Sequence, residues 1–193
     1  MADRDEVRER VLASARRLFY GNGINVTGVD RLSEDAGVSK RTLYQRFRTK
    51  DELITAYLRQ QTESLDADLM PAADSPEPPV ARIRAVFTNV RKLSHSDEFQ
   101  GCPVLNTTAE IHDPAHSARA VALTYKQSVQ DYFAAQARLA GATDPDLLAV
   151  QLTMLLDGAM SYAAVRGGPI PESVEATVGT LLDAQLPAPD QAS

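Results

Sequence analysis

The sequence predicts an all-α protein of about nine helices. Three observations carry that expectation. Apolar residues recur at steps of three and four along almost the whole chain. No run alternates apolar and polar residues as a half-buried strand would. Glycines, Asp-Pro pairs and prolines punctuate the pattern at helix-length intervals. The composition agrees: of 193 residues, 44% are hydrophobic and 24% charged, with 10 Gly, 11 Pro, one Cys and no Trp. That balance excludes collagen-like, disulfide-stapled and wholly disordered classes. A lone cysteine forms neither an internal bridge nor a Cys-only metal cage, so a reducing compartment is expected. No run approaches the ~18 consecutive apolar residues of a membrane span. The charged start MADRDEVRER is no secretory signal. A cytoplasmic protein with no membrane partner is expected.

From Arg4 to Tyr20 the set Val11, Leu12, Ala15, Leu18 and Phe19 forms one stripe, and Gly21-Asn22-Gly23 closes the helix. Val29 to Ala36 makes a short helix broken by Gly37-Val38. Ser39 can cap a third helix from Lys40 to Phe47, with Leu43 and Phe47 facing inward. Thr49 or Lys50 opens a fourth, to about Leu69, with Asp51 and Glu52 suited to its first-turn dipole. Pro71 to Pro79 is a linker with four prolines. Helices then follow from Pro79 to Leu93, from Gly101-Cys102-Pro103 to Ile111, from Asp113-Pro114 to Ala140, from Asp146 to Val165, and from Pro171 to Leu186. Pro187 to Ser193 is expected to be a disordered tail. This organisation divides into a domain over 1–50, a connecting helix over about 50–69, and a body over 70–193.

Charge separates the same way. Residues 1–60 hold 12 Lys and Arg against 9 Asp and Glu, whereas residues 61–193 hold 8 against 17. Only the first part suits a polyanion. Within it, Thr27 to Lys50 places two short helices around Gly37-Val38-Ser39, a helix-turn-helix layout in which the second helix enters the major groove. That helix offers Lys40, Arg41, Gln45 and Arg46 as long donors and the hydroxyls of Thr42 and Tyr44. Thr27 and Lys50 sit near helix starts, where backbone N–H groups favour phosphate. The plainer alternative is an ordinary solvated helix. The glycine turn, and two helices too short to be stable alone, favour DNA.

The run from Leu18 to Leu58 resembles the TetR family of bacterial transcriptional regulators. The likeness lies in Gly23-x-x-x-Thr27, in Val29-x-x-Leu32-Ser33-x-x-Ala36-Gly37-Val38-Ser39, in Leu43-Tyr44-x-x-Phe47 and in Lys50-x-x-Leu53, all in order. Gln45 and Arg46 stand where many members carry His or Tyr, a difference that bears on operator sequence. Gly101 to Asn106 followed by Ala109-Glu110 resembles a segment shared by a subset of such regulators. The resemblance implies a homodimeric repressor that leaves a palindromic operator when a small molecule binds the body. It implies base-edge contacts from Lys40, Arg41 and Gln45, and phosphate contacts from Thr27, Ser39, Thr42, Tyr44 and Lys50.

The segment Asp146–Val165 is apolar on nearly every face and must be covered all round. With Val174, Val178, Leu181 and Leu182 of the last helix, it is expected to form the two-fold, four-helix seam of the homodimer that the resemblance implies, the plainer alternative being closure of the monomer core. Phe87, Val90, Leu105, Asn106, Tyr125, Val129, Tyr132, Met154 and Tyr162 are the expected lining of an effector cavity. His112 and His116, with Glu110 nearby, have zinc-like spacing, but Pro114 between them argues against a shared helix face, and no metal is expected. Cys102 is expected to be a buried structural thiol rather than a redox sensor. No catalytic constellation and no cofactor motif is visible. Two other readings stay open: a helical small-molecule carrier or enzyme that binds no DNA, and a purely structural dimer.

Overall fold

The computed structural model describes residues 2–72 and 75–187, with side chains from Glu6 onward, and every regular element among them is helical. The helices are α1 (Ala2–Asn22), α2 (Val29–Asp35), α3 (Lys40–Arg46), α4 (Lys50–Leu69), α5 (Pro79–Leu93), α6 (Pro103–Glu110), α7 (Ser117–Leu139), α8 (Pro145–Arg166) and α9 (Ser173–Gln185). The expected tail beyond Pro187 lies outside the described residues.

The chain divides into two compact units. One takes the chain up to Ser64 together with Cys102–Thr124, and the other takes Leu65–Gly101 and the chain from Tyr125 onward. The linear division expected near residue 70 therefore differs from the grouping of contacts, because α6 and the first turns of α7 pack with the amino-terminal helices.

In the first unit the α1 stripe is buried as its spacing predicts: Val11 and Ala15 are fully covered, with Leu12, Leu18 and Phe19 beside them. The α1 helix ends when the Gly23 N–H reaches back to the Phe19 carbonyl at 3.0 Å. The α2 helix stops in a Schellman turn. Gly37, at φ +64°, donates to the Glu34 carbonyl, and Val38 donates to the Ser33 carbonyl. An Arg17–Asp35 ion pair at 2.5 Å ties α1 to α2 at the surface. The Asp35 carboxyl lies below its ordinary value. The Ser14 hydroxyl is the largest cause, burial opposes it, and Arg17 and Arg31 add to the lowering.

The Asp113-Pro114 pair does not begin α7. Asp113 Oδ1 instead accepts from the Ala115 N–H in a local turn. His116 then caps the helix, its Nδ1 accepting from the Ala118 N–H at 3.0 Å, while its Nε2 lies 3.6 Å from an Asp51 carboxylate oxygen. His112 and His116 therefore lie in the α6–α7 connection rather than on one helix. Cys102 is buried.

In the second unit, Leu148, Leu152, Leu156, Met160 and Ala163 give α8 its inward stripe, against Val174, Val178 and Leu182 of α9. Those three α9 residues, expected at the dimer seam, are thus buried within the chain itself, and Leu181 is only half-buried beside them. The α5 helix joins the layer through Arg91, whose Nε bonds Glu175 at 3.1 Å. Phe87 and Phe133 stack at 5.9 Å between centroids. By length and composition α8 could cross a membrane, with mean hydropathy 1.4 over its most apolar window, of which 44% is buried. Its outer side shows Leu147, Val150, Met154, Tyr162 and Val165 to solvent.

Two outcomes follow for stability. Gly101 has φ +84°, and a Cβ there would sit 2.9 Å from the Ala164 Cβ and 3.3 Å from the Met160 carbonyl oxygen. Gly101→Ala is therefore expected to cost about 2–4 kcal/mol in urea unfolding, from backbone strain plus overpacking. Because the folded state favours the Asp35 carboxylate, its contribution is present above the unfolded value of 3.8 and is lost as pH falls. The difference in urea midpoint between wild type and Asp35→Asn should accordingly shrink as pH drops through about 4.

Candidate nucleic-acid interface

The α3 helix has only seven residues, too few to persist alone, and two side chains hold it. Leu43 is wholly buried and Phe47, at its carboxyl end, is 1% exposed, with the Arg8 guanidinium 5.3 Å above the Phe47 ring. At the other end Ser39 caps the helix, its Oγ accepting from the Thr42 N–H at 3.0 Å. The Ser39 and Thr42 hydroxyls also share a hydrogen bond at 2.8 Å. Ser39 and Thr42 thus first serve the cap.

With one side fixed, the opposite side projects. Arg41, Tyr44 and Gln45 are exposed and stand three and four residues apart, hence on one face. Lys40 is exposed too, but its ammonium pairs with the Asp30 carboxylate on α2. Such an exposed pair is worth little, so a phosphate or base edge can compete for the lysine. Arg46 is half-buried, and its Nε is buried without a hydrogen-bond partner. Arg48 is exposed just past the helix, a cation the sequence reading passed over although it lies in the same basic run.

Two expected phosphate ligands are turned inward. Thr27 is fully buried, and its hydroxyl donates to the Gly23 carbonyl at 2.6 Å and approaches the Leu18 carbonyl at 3.4 Å. Its side chain fixes the α1–α2 loop and offers nothing to a phosphate. The Lys50 ammonium donates to the Ile24 carbonyl at 2.6 Å and lies 5.9 Å from the Phe19 ring centre. Desolvation lowers its pKa, opposed by the Glu110 and Asp51 carboxylates. The sequence signal at both sites, a polar residue near a helix start, does not distinguish an outward hydroxyl or ammonium from one consumed by the adjoining loop.

The loop between α1 and α2 also has a partner from far along the chain. Glu110, the last residue of α6, accepts from the Ile24 N–H at 2.9 Å through Oε1 and from the Asn25 N–H at 2.7 Å through Oε2. The Asn25 side-chain amide returns a bond to the Glu110 carbonyl at 3.3 Å. No local pattern announces this contact, which joins positions 85 and 86 residues apart.

The expected effector-lining residues are divided between the two units. Phe87, Val90, Tyr125 and Val129 are buried in the second unit, with Tyr132 half-buried. Leu105 is half-buried and Asn106 exposed, and both belong to the first unit. Met154 and Tyr162, expected to line a cavity, are instead 69% and 44% exposed on the outer side of α8. Met154 lies two residues from both Leu152 and Leu156, roughly opposite the inward stripe, and the Tyr162 ring receives the Arg166 guanidinium at 4.0 Å.

Comparison with known proteins agrees with this architecture. A family model described as bacterial regulatory proteins of the tetR family matches residues 11–57. A second, described as a tetracyclin repressor-like C-terminal domain, matches residues 79–175. Among solved structures, a chain described as a TetR-type transcriptional regulator from Streptomyces avermitilis is 40% identical. It superposes with a TM-score of 0.87, over 93% of this chain and 97% of that one. A TetR-family transcriptional regulator from Streptomyces coelicolor is 34% identical with a TM-score of 0.82, over 93% and 94%. The transcriptional activator FasR of Mycolicibacterium smegmatis is 35% identical over 82 residues, 42% of this chain and 37% of that protein. The match thus spans under half the length of that curated relative. Both matched models describe regulators rather than enzymes. The helix-turn-helix unit, the all-helical body and these matches together make the chain a member of the TetR family of bacterial regulatory proteins.

Proposed function

We propose that the protein is a dimeric transcriptional regulator that reads a palindromic operator in the cytoplasm and loses DNA affinity when a small molecule enters its body. The observation that carries this reading is the outward triad Arg41, Tyr44 and Gln45 on a helix whose other side is anchored by Leu43 and Phe47. Arg41 and Gln45 have the reach and donor geometry for base edges, with Lys40 joining them once it leaves Asp30. Tyr44, Thr42 and Arg48 suit phosphates, which fix register and bring salt dependence.

The outer side of α8 supports the homodimer. Leu147, Val150, Met154 and Val165 repeat at helical spacing and leave an apolar stripe in water, a cost that a second copy would remove. The effector reading draws support from α7. Tyr132 Oη and Gln136 Oε1, one turn apart, are buried without hydrogen-bond partners, and the Tyr132 ring lies 6.0 Å from that of Phe133. Burial raises the Tyr132 pKa, with Arg82 opposing. Unpaired polar atoms in such a place cost about 1–3 kcal/mol each, and a ligand's polar group would relieve that cost. A ligand preferring a reader separation other than the ~34–36 Å between successive major grooves lowers DNA affinity by its differential affinity for the two states. Occupying an operator blocks polymerase, so repression is the proposed output. Named relatives include the activator FasR and a repressor, Rv1474c of Mycobacterium tuberculosis, and transcription in vitro from the selected operator decides the sign.

Selection of bound duplexes from a random pool should return a two-fold symmetric sequence. An asymmetric winner, or no binding at low salt, removes the proposal. On that duplex, Arg41→Ala should change which bases matter at a cost of about 1–3 kcal/mol. Tyr44→Phe should weaken all duplexes alike. An unchanged base profile for Arg41→Ala would reassign that residue to the backbone. Met154→Asp with Val165→Asp should shift sedimentation from dimer to monomer while far-ultraviolet circular dichroism stays helical.

A further inference from the structure

Ile24 has both of its backbone groups held by opposite charges. Its N–H donates to the Glu110 carboxylate, while its carbonyl accepts from the Lys50 ammonium. The same carboxylate takes the Asn25 N–H with its second oxygen. Ile24 is 2% exposed, so this grip closes over a buried side chain. Gly23 completes the fit: it has φ +104°, and a Cβ there would lie 3.3 and 3.4 Å from the two Glu110 oxygens. The other end of the grip is itself fixed. Arg119 of α7 donates to the Thr108 and Ile111 carbonyls, pinning the carboxyl end of α6 where Glu110 stands.

From this geometry we infer that Glu110 is a positioning residue for DNA reading: its carboxylate clamps the α1–α2 loop to the end of α6 and so sets the angle at which α2 and α3 are presented. The inference rests on the DNA-binding function proposed above and adds to it a residue that touches no nucleic acid. The loop leads straight into α2 through Thr27 and Gly28. A rotation of the loop about Ile24 therefore turns the helix pair, and a dimer must present two such pairs in one register. Two charge-assisted bonds to consecutive amides fix two successive peptide planes, which one bond cannot do. This gives a role to the Ala109-Glu110 end of the segment that the sequence singles out.

The sign of the charge makes the test sharp. Glu110→Gln removes a negative charge from the unit that faces the duplex, which by itself raises affinity for any polyanion. It also leaves only one acceptor oxygen for two amides. We expect hydrogen exchange at the Ile24 and Asn25 amides to quicken by about tenfold, with Leu43 unchanged. Affinity for the selected palindrome should fall by about tenfold while affinity for random-sequence duplex holds or rises. Glu110→Asp keeps the charge and shortens the reach by one methylene. It should lower the palindrome-to-random ratio in the same direction, and it serves if the glutamine variant does not fold. An undiminished ratio in the folded variants, or unchanged exchange at both amides, overturns the inference while wild-type binding stands. Failure of the wild-type chain to bind any duplex instead overturns the DNA reading from which it starts.

Discussion

The structure depends on the burial of Leu43 and Phe47. A seven-residue helix has almost no stability of its own, and its sequence is otherwise polar, so these two anchors decide that α3 exists and which way it faces. Once they are seated, Arg41, Tyr44 and Gln45 have only solvent or a ligand to meet. The anchors need a rigid floor. It comes from the fully covered α1 stripe, the Schellman turn at Gly37 and the Phe19–Tyr57 edge contact at 5.4 Å. A reader built this way is stiff about its own axis. Its orientation as a whole depends on where the three-helix unit is tied to later sequence.

Beside the apolar Phe19–Tyr57 contact, two of those ties use charged side chains. Glu110 meets the α1–α2 loop through two of its N–H groups, and the Lys50 ammonium meets it through the Ile24 carbonyl. Apolar contacts are non-directional, whereas a carboxylate on two amide N–H groups specifies an angle. Such a tie also changes discretely, since a peptide plane either has its acceptor or loses it. A regulator needs its cores kept intact and its joints kept selectable, and the division of labour here follows that need. Leu32, Leu43 and Leu58 are sealed, while the joints use ionisable side chains that remain partly in contact with water.

Much of this was legible in the residues. Helical periodicity, capping residues and Asp-Pro or glycine boundaries give the elements to within a few positions, because those signals act inside one turn. The main boundary that moved was the start of α7, where Asp113-Pro114 forms its own turn and His116 takes over the cap. Exposure was legible where it follows from local period, as at Arg41 and Gln45. It was not where a side chain's partner is remote. Thr27 and Lys50 are polar residues beside helix starts, yet both are spent on the carbonyls of the α1–α2 loop. The exposure of Met154 and Tyr162 was illegible for a different reason. On a helix apolar all round, period cannot say which side meets the chain's own core.

That ambiguity on α8 carries its own meaning. A helix made only to close a monomer would put polar residues where Leu147, Met154 and Val165 stand, since exposed apolar area gains nothing and invites aggregation. A helix made only for a partner would not need Leu148, Leu152 and Leu156 on its other side. Apolar residues on both sides satisfy both demands at once, which erases the amphipathic signal from the sequence. The positions where period gives no answer are those at which the proposed second copy would pack. The same two-fold pairing would convert a single exposed triad on α3 into a reader of two half-sites.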